Sequence, residues 1–318
     1  MSSVTKKTKS DEKSDIKANV SETKSRISQL LCEKIIFRLQ KKYIFVGRID
    51  DMREVYLCYR KRSKAKKFVL KFYKCRDYSF NEHEILQHMG HHENIQILTH
   101  CYKFDQEGVC VLVSPFIEDE SFTKHPYNTL QSESLRLIFV YMKQLINAIS
   151  FCHSKGILIR DIKPSNLLWN PKTEKLIMID FGLASFYRDK GHVTEVGTEG
   201  FMAPEVVACN EETQKKSVFP VTPYHYLVDI YSAGVVLGSL LFQKSEVETE
   251  PSLMKQWRQY CKKYIQKIKK YIQPNLSEPE DVLRLFFELF LGMTHSDVQY
   301  RWSNTGCHAH LTLIGNKF

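Results

Sequence analysis

What the chain lacks narrows its class before any motif is read. None of its nine cysteines (Cys32, Cys58, Cys75, Cys101, Cys110, Cys152, Cys209, Cys261 and Cys307) belongs to a CxxC pair, and their spacing is irregular. That argues against a zinc module and a disulfide framework. It leaves the cysteines as small core hydrophobes in a reducing compartment. No apolar run approaches the roughly 20 residues that span a bilayer. The N-terminus, MSSVTKKTKSDEKSDIK, has no apolar core of the signal-peptide kind. The expectation is a soluble chain without a membrane partner. No internal repeat is present.

What is there fits a globular chain. The 318 residues, 43% hydrophobic, suffice for one large domain or two lobes. A net charge of +10 favours acidic partners. Residues 1–28 carry Ser, Thr, Lys, Asp and Glu with hardly an apolar residue, so they are expected to form a disordered basic tail. Aromatics do not interleave with the charges of that tail, so direct nucleic-acid binding is not expected.

Residues 29–114 read as a small β-rich part with one helix. Its strands are expected at 43–46, 54–59, 67–72 and 109–113. Its helix is expected at 82–89, with Ile85, Leu86 and Met89 on one face. Residues 115–118 join it to a larger helical part, 119–318, with helices at 132–154, 229–241 and 282–291. The fold class is therefore α+β in two lobes. Segments 209–226 and 243–278 look like insertions. Within the second, 255–271 reads as a basic helix with an apolar side of Trp257, Tyr264, Ile265 and Ile268.

The chemistry concentrates in two segments. In ILIRDIKPSNLLW, residues 157–169, an apolar strand delivers Arg160 and Asp161, followed by Lys163 and Asn166. Phosphoryl transfer to a hydroxyl needs a carboxylate beside the attacking oxygen, an oxygen ligand for Mg2+ and positive charge near the moving group. Asp161, Asn166 and Lys163 supply these in that order. In LIMIDFGLA a buried strand over 176–179 ends in Asp180, a second Mg2+ ligand. Phe181 packs inward, and Gly182 is expected to make the sharp turn.

With GTEGFMAPE at 197–205, the set resembles the eukaryotic protein kinase family over residues 41–310. The resemblance implies a two-lobed kinase fold, ATP and Mg2+ as cofactors, and protein substrates. Lys163 resembles the serine/threonine type. Thr198 matches the threonine that contacts that lysine. Glu205 matches one half of a buried ion pair with Arg301, and Asp229 matches a brace for the catalytic loop. Lys71 in Val69–Leu70–Lys71 is similar to the family's phosphate-neutralising lysine. A helix carboxylate should orient it: Glu82 by its spacing to Leu86 and Met89, with Glu84 as the alternative. The resemblance further implies cofactor-binding positions at Gly47, Val55, Phe116, Ile117 and Leu168.

Within the family, VLVSPFIEDESF (111–122) and EVGTEGFMAPEVV (195–207) resemble the cell division control protein 7 kinases. That branch implies a nuclear enzyme of replication initiation that works with a regulatory activator subunit. Its implied targets are acidic Ser/Thr sites of the replicative helicase. Segments 209–226 and 255–271 are the candidate activator contacts.

Several positions depart from the family pattern. Only Gly47 remains in the phosphate-covering loop, VGRIDDMREVY, which implies weak ATP binding without a partner. Ile159 replaces a histidine. Met202 stands where the branch commonly has arginine. Thr194 is a candidate phosphorylation site facing Arg160.

Overall fold

The computed structural model describes residues 29–50, 54–74, 79–118, 131–210, 223–243, 251–270 and 278–318. The expected tail, residues 1–28, lies outside them. The chain divides into two compact units: Met1–His83 with Ile97–Phe116, and Glu84–Gln96 with Ile117–Phe318.

The first unit begins with helix α1, Gln29–Leu39. Strands β1 (Tyr43–Asp50), β2 (Val55–Arg60) and β3 (Ser63–Lys74) follow, then the start of helix α2 (Ser79–Met89), then β4 (His100–Phe104) and β5 (Val109–Pro115). The five strands form one antiparallel sheet in the order β1-β2-β3-β5-β4. Its core joins Tyr43, Cys58, Phe68, Leu70, Phe72, Phe104, Val109, Val111 and Val113.

Two expectations for this unit need correction. Residues 29–114 hold two helices, not one. Helix α1 inserts Cys32, Ile35 and Leu39 into the sheet core. These lie three and four residues apart, so one helical stripe carries all three. Burying Ile35 and Leu39 contributes about 2 kcal/mol each. The first strand also extends past residue 46 to Asp50. It carries Gly47 opposite Leu57, between two register irregularities. A Cβ at Gly47 would meet nothing within 4 Å, so packing does not demand glycine there.

The second unit is mainly helical. After α2 come α3 (Ser132–Ser154), β6 (Ile157–Leu158), β7 (Leu167–Asn170), β8 (Lys175–Met178) and β9 (Ser185–Phe186). Then follow α4 (Pro204–Val207), α5 (Leu227–Leu241), α6 (Pro251–Lys270), α7 (Glu278–Met293) and α8 (Asn304–Gly315). Helix α3 is long and apolar enough to cross a membrane on length and composition alone. That amends the expectation that no such segment exists. Here α3 buries Leu135, Ile138, Met142, Leu145, Ile146 and Ile149 at the centre of the unit.

Helix α6 is the expected basic helix, and its apolar side is packed inside the unit. Met254, Trp257, Cys261 and Ile265 are buried. Trp257 stacks on Phe242 with ring centroids 5.0 Å apart, and Tyr264 meets Phe287 edge-on at 5.0 Å. Gly238 of α5 makes this approach possible: a Cβ there would lie 2.8 Å from both Trp257 and Phe290. Among the described residues, most of the apolar side of α6 is thus packed inside the unit. The side chain of Ile268 lies outside the described residues, as do residues 211–222, 244–250 and 271–277 of the two expected insertions.

Every described cysteine is a free thiol, all of them buried except the half-buried Cys101. Cys75 lies outside the described residues.

Candidate active site

In the second unit the site grows from a short, strained backbone. Ile157 and Leu158 pair with Phe186 and Ser185, which fixes the strand that leads into Arg160. Arg160 then adopts φ 66°, and Asp180 adopts φ 63°. Both lie in the left-handed region that non-glycine residues rarely occupy, so their surroundings must hold them there.

Asp229, fully buried at the start of α5, does so for Arg160. Its Oδ2 accepts from Ile159 N at 2.9 Å and its Oδ1 from Arg160 N at 2.8 Å. His153 Nε2 lies 2.8 Å from Oδ2, and its Nδ1 lies 2.8 Å from Asn304 Nδ2. The sharp turn expected at Gly182 is present: Gly182 and Leu183 form it, and Ala184 N donates to Phe181 O at 3.1 Å. Asp180, just before it, is the residue in the left-handed region, and its Oδ1 accepts from Gly182 N at 3.3 Å. Phe181 is fully buried, as expected, and Ile159 is 2% exposed.

Asp161, Lys163, Asn166 and Thr198 come together in one network. Thr198 Oγ1 donates to Asp161 Oδ1 and accepts from Lys163 Nζ, both at 2.6 Å. Lys163 Nζ also lies 3.0 Å from Asp161 Oδ2. Asn166 Nδ2 donates to both the backbone oxygen and Oδ2 of Asp161 at 2.9 Å. Each carboxylate oxygen has two acceptor sites, so Asp161 can still accept a substrate proton. With its amide nitrogen committed to Asp161, Asn166 keeps Oδ1, an amide oxygen of the kind that suits a hard cation. Ile179 N donates to Asn166 O at 2.9 Å, which ties the strand before Asp180 to this loop.

The segment 194–205 is anchored to the same unit. Arg301, with its side chain fully buried, holds Glu205 through two bonds of 2.5 and 2.9 Å. Thr194 is exposed, and its carbonyl accepts from Tyr224 OH at 2.8 Å. Arg160 Nε is committed to Leu183 O at 2.7 Å.

Nearby, His192 is buried, and its Nε2 has no hydrogen-bond partner. Burial, then the charges of Arg160 and Arg188, depress its pKa from 6.5 to about 4. A depressed histidine favours the folded state above its unfolded pKa. Between pH 6.5 and 4 the unfolded chain takes up a proton that the folded chain refuses, so acidification erodes stability. His192→Phe should reduce this loss by on the order of 2 kcal/mol. Urea unfolding at pH 7 and pH 5 checks it: an equal acid-induced loss in the variant and wild type rules His192 out as the source.

In the first unit, β3 carries Lys71 opposite Val55 of β2 and Leu112 of β5. Lys71 Nζ lies 3.1 Å from Glu82 Oε2, and Glu82 is 1% exposed. Glu84 is exposed. Tyr73 also donates its hydroxyl to Glu82, a contact the sequence did not suggest. Tyr73 stands two residues after Lys71, so strand alternation puts both on one face of β3. Phe116 N donates to Lys67 O at 3.0 Å, and Ile117 follows it, half-buried. In the second unit, Leu168 is half-exposed on β7, pairing with Ile177 and alternating with buried Leu167 and Trp169.

Comparison with known families finds the protein kinase domain over residues 51–312. The chain belongs to this family. The chain is also 32% identical over 161 residues to a protein of Encephalitozoon cuniculi (strain GB-M1) described as "Probable casein kinase II subunit alpha homolog". That match covers 50% of the kinase and 46% of the relative, so it spans about half the length of each. The five-stranded antiparallel sheet and the helical second unit are the two lobes of the kinase fold.

ATP and Mg2+ follow from the family. Among the described residues no cluster of three or more His, Cys, Asp or Glu side chains suits a resident metal. A Mg2+ ion carried in with nucleotide phosphates needs only one or two protein ligands. The buried Asn166 and the carboxylate of Asp180 fit that requirement.

Proposed function

We propose that the kinase transfers the γ-phosphate of ATP to serine or threonine of protein substrates. The observation that carries this reading is the Lys163–Thr198–Asp161 network, in which a cation and a carboxylate converge within one hydrogen-bonded group. Asp161 would orient the substrate hydroxyl and take its proton. Lys163 would stabilise charge on the transferring group. Lys71, oriented by Glu82, would neutralise α and β phosphates, and Asn166 and Asp180 would hold Mg2+. The bound ion supplies charge neutralisation at the phosphates. Gly47, Val55, Phe116, Ile117 and Leu168 would line the nucleotide. Similarity to a casein kinase homologue fits a protein acceptor.

The finer assignment is a minimal nuclear cell-cycle kinase that promotes replication initiation with a regulatory activator. Its support is the motif resemblance at 111–122 and 195–207. Acidic Ser/Thr sites of the replicative helicase are its candidate targets. A second reading, a weak kinase-fold binding module, is favoured by Gly47 as the lone glycine of residues 46–56 and by Ile159.

Phosphoamino-acid analysis of products from a peptide array, with and without co-purified partners, tests the proposal. Phosphoserine and phosphothreonine without phosphotyrosine support the specificity. Acidic residues just after the target support the replication branch. Basic residues before it would reject the branch and leave the kinase standing.

A further inference from the structure

Two neighbouring turns of the first unit gather cations that have no counter-charge. The connection from α1 to β1 holds Gln40, Lys41 and Lys42, and β2 runs into its turn through Arg60, Lys61 and Arg62. Lys61 N donates to Lys42 O at 2.9 Å, and Tyr43 pairs with Arg60 across β1 and β2, so the two turns lie side by side. Lys41, Lys42, Arg60, Lys61 and Arg62 are all exposed.

Cations elsewhere in this unit meet carboxylates. Lys34 and Arg38 share Glu107, Arg48 meets Glu54, and Lys71 meets Glu82. The cations of the two turns form no ion pair among the described residues. Two of them are held against rings: Lys42 Nζ lies 4.9 Å from the ring centre of Tyr102, and the Arg60 guanidinium 5.6 Å from that of Phe68. Both also act on His100, whose pKa is lowered by burial and then by the charges of Lys42 and Arg60. Like charges gathered this closely repel one another, and a polyanion laid across them would offset that cost.

The make-up of the surface discriminates among polyanions. A protein partner draws most of its affinity from large apolar or aromatic anchors packed beside the charges. Residues 40–42 and 60–62 hold no apolar side chain. An unpaired nucleic-acid strand needs a bare ring on which its bases stack. Tyr102, the ring beside Lys42, is already engaged edge-on by Tyr43 and His100, with centroids 6.3 and 4.2 Å away. A duplex needs neither, because its backbone answers to cations alone and presents one charge about every 1.7 Å along its axis. The lack of stacking aromatics, which argued against nucleic acid for the tail, does not weigh against a duplex.

We propose that the surface formed by Lys41, Lys42, Arg60, Lys61 and Arg62 binds the phosphate backbone of duplex DNA without reading its sequence. The contact tethers the kinase to DNA through its first lobe and uses none of the residues assigned to phosphoryl transfer. It rests neither on serine/threonine specificity nor on the replication branch.

Anisotropy titration of a fluorescein-labelled, mixed-sequence duplex with the full chain, over a salt series, tests it. The wild type should bind with a dissociation constant on the order of micromolar at low salt, and its affinity should fall steeply as salt rises. The combined variant Lys41→Gln, Lys42→Gln, Lys61→Gln and Arg62→Gln should bind at least about tenfold more weakly at low salt. Its slope of log affinity against log salt should flatten by about 3. These side chains are exposed, so the melting temperature and peptide phosphorylation should stay at wild-type values. A matched set on α6, Lys255→Gln, Lys262→Gln, Lys263→Gln and Lys267→Gln, should change the slope by less than about 1. An equal loss from the α6 set would overturn the proposal, because the binding would then follow net charge rather than this surface. So would an unchanged slope in the turn variant, no duplex binding by the wild type, or tighter binding of a polyglutamate of matched charge than of the duplex. A wild-type chain that binds the duplex but transfers no phosphate would contradict the kinase reading and leave this one intact.

Discussion

Asp161→Asn should lower kcat about a thousandfold while moving the melting temperature by only a few degrees. The carboxylate is the only group in its network that can take a proton from an attacking hydroxyl. Lys163 and Asn166 present donors to it, and the Thr198 hydroxyl already donates its own proton to Asp161 Oδ1. The amide is nearly isosteric and still accepts at one oxygen, so the loop keeps most of its bonds. The weakened contact to Lys163 costs on the order of 1 kcal/mol. Steady-state phosphate transfer and a thermal melt on the same preparation separate the two effects. A fall in kcat of less than tenfold would remove Asp161 from the proton transfer. A collapse of the melt would instead make its role structural.

Asp229→Ala should destabilise the second lobe by about 4 kcal/mol. The substitution strands the buried N–H of Ile159 and the partly buried N–H of Arg160 and removes the partner of His153. Each unsatisfied buried donor costs roughly 1–3 kcal/mol. Arg160 would also lose the bond that helps hold it at φ 66°. Against a typical domain stability of about 5–15 kcal/mol this is a large share. Asp229→Asn keeps one acceptor and should lose about half as much. Urea unfolding of both variants checks the ordering. A loss below about 1 kcal/mol for the alanine variant would mean that the loop holds its strained backbone without this brace.

The catalytic loop was legible because its chemistry is local: Asp161, Lys163 and Asn166 lie within six residues and are bound to one another by a short 3-10 turn, Pro164–Asn166. Distant partners such as Asp229, Thr198 and Arg301 could be named only by resemblance, since no local pattern links residue 160 to residue 229. Tyr73 was missed because the expected strand stops at residue 72, whereas β3 runs on to Lys74 and puts Tyr73 on the face of Lys71. The left-handed conformation of Asp180 had no sequence signal, because residue type shows where such a backbone is easy, not where the fold imposes it.

Helix α1 was overlooked for another reason. Its stripe of Cys32, Ile35 and Leu39 is narrow and follows a long polar segment, so only the sheet it covers reveals its purpose. Helix α6 shows the converse. Its apolar period was visible, but periodicity does not say what covers the apolar side. The structure gives that side to Phe242, Phe287 and Phe290.

The central claim is that this chain carries out phosphoryl transfer with its own residues. The most direct test is transfer of labelled phosphate from ATP to a mixed Ser/Thr peptide pool by the purified full chain, beside Asp180→Ala prepared identically. The account expects incorporation by the wild type and none above background by the variant. Equal incorporation by both, or none by the wild type in the presence of Mg2+ and co-purified partners, would contradict it.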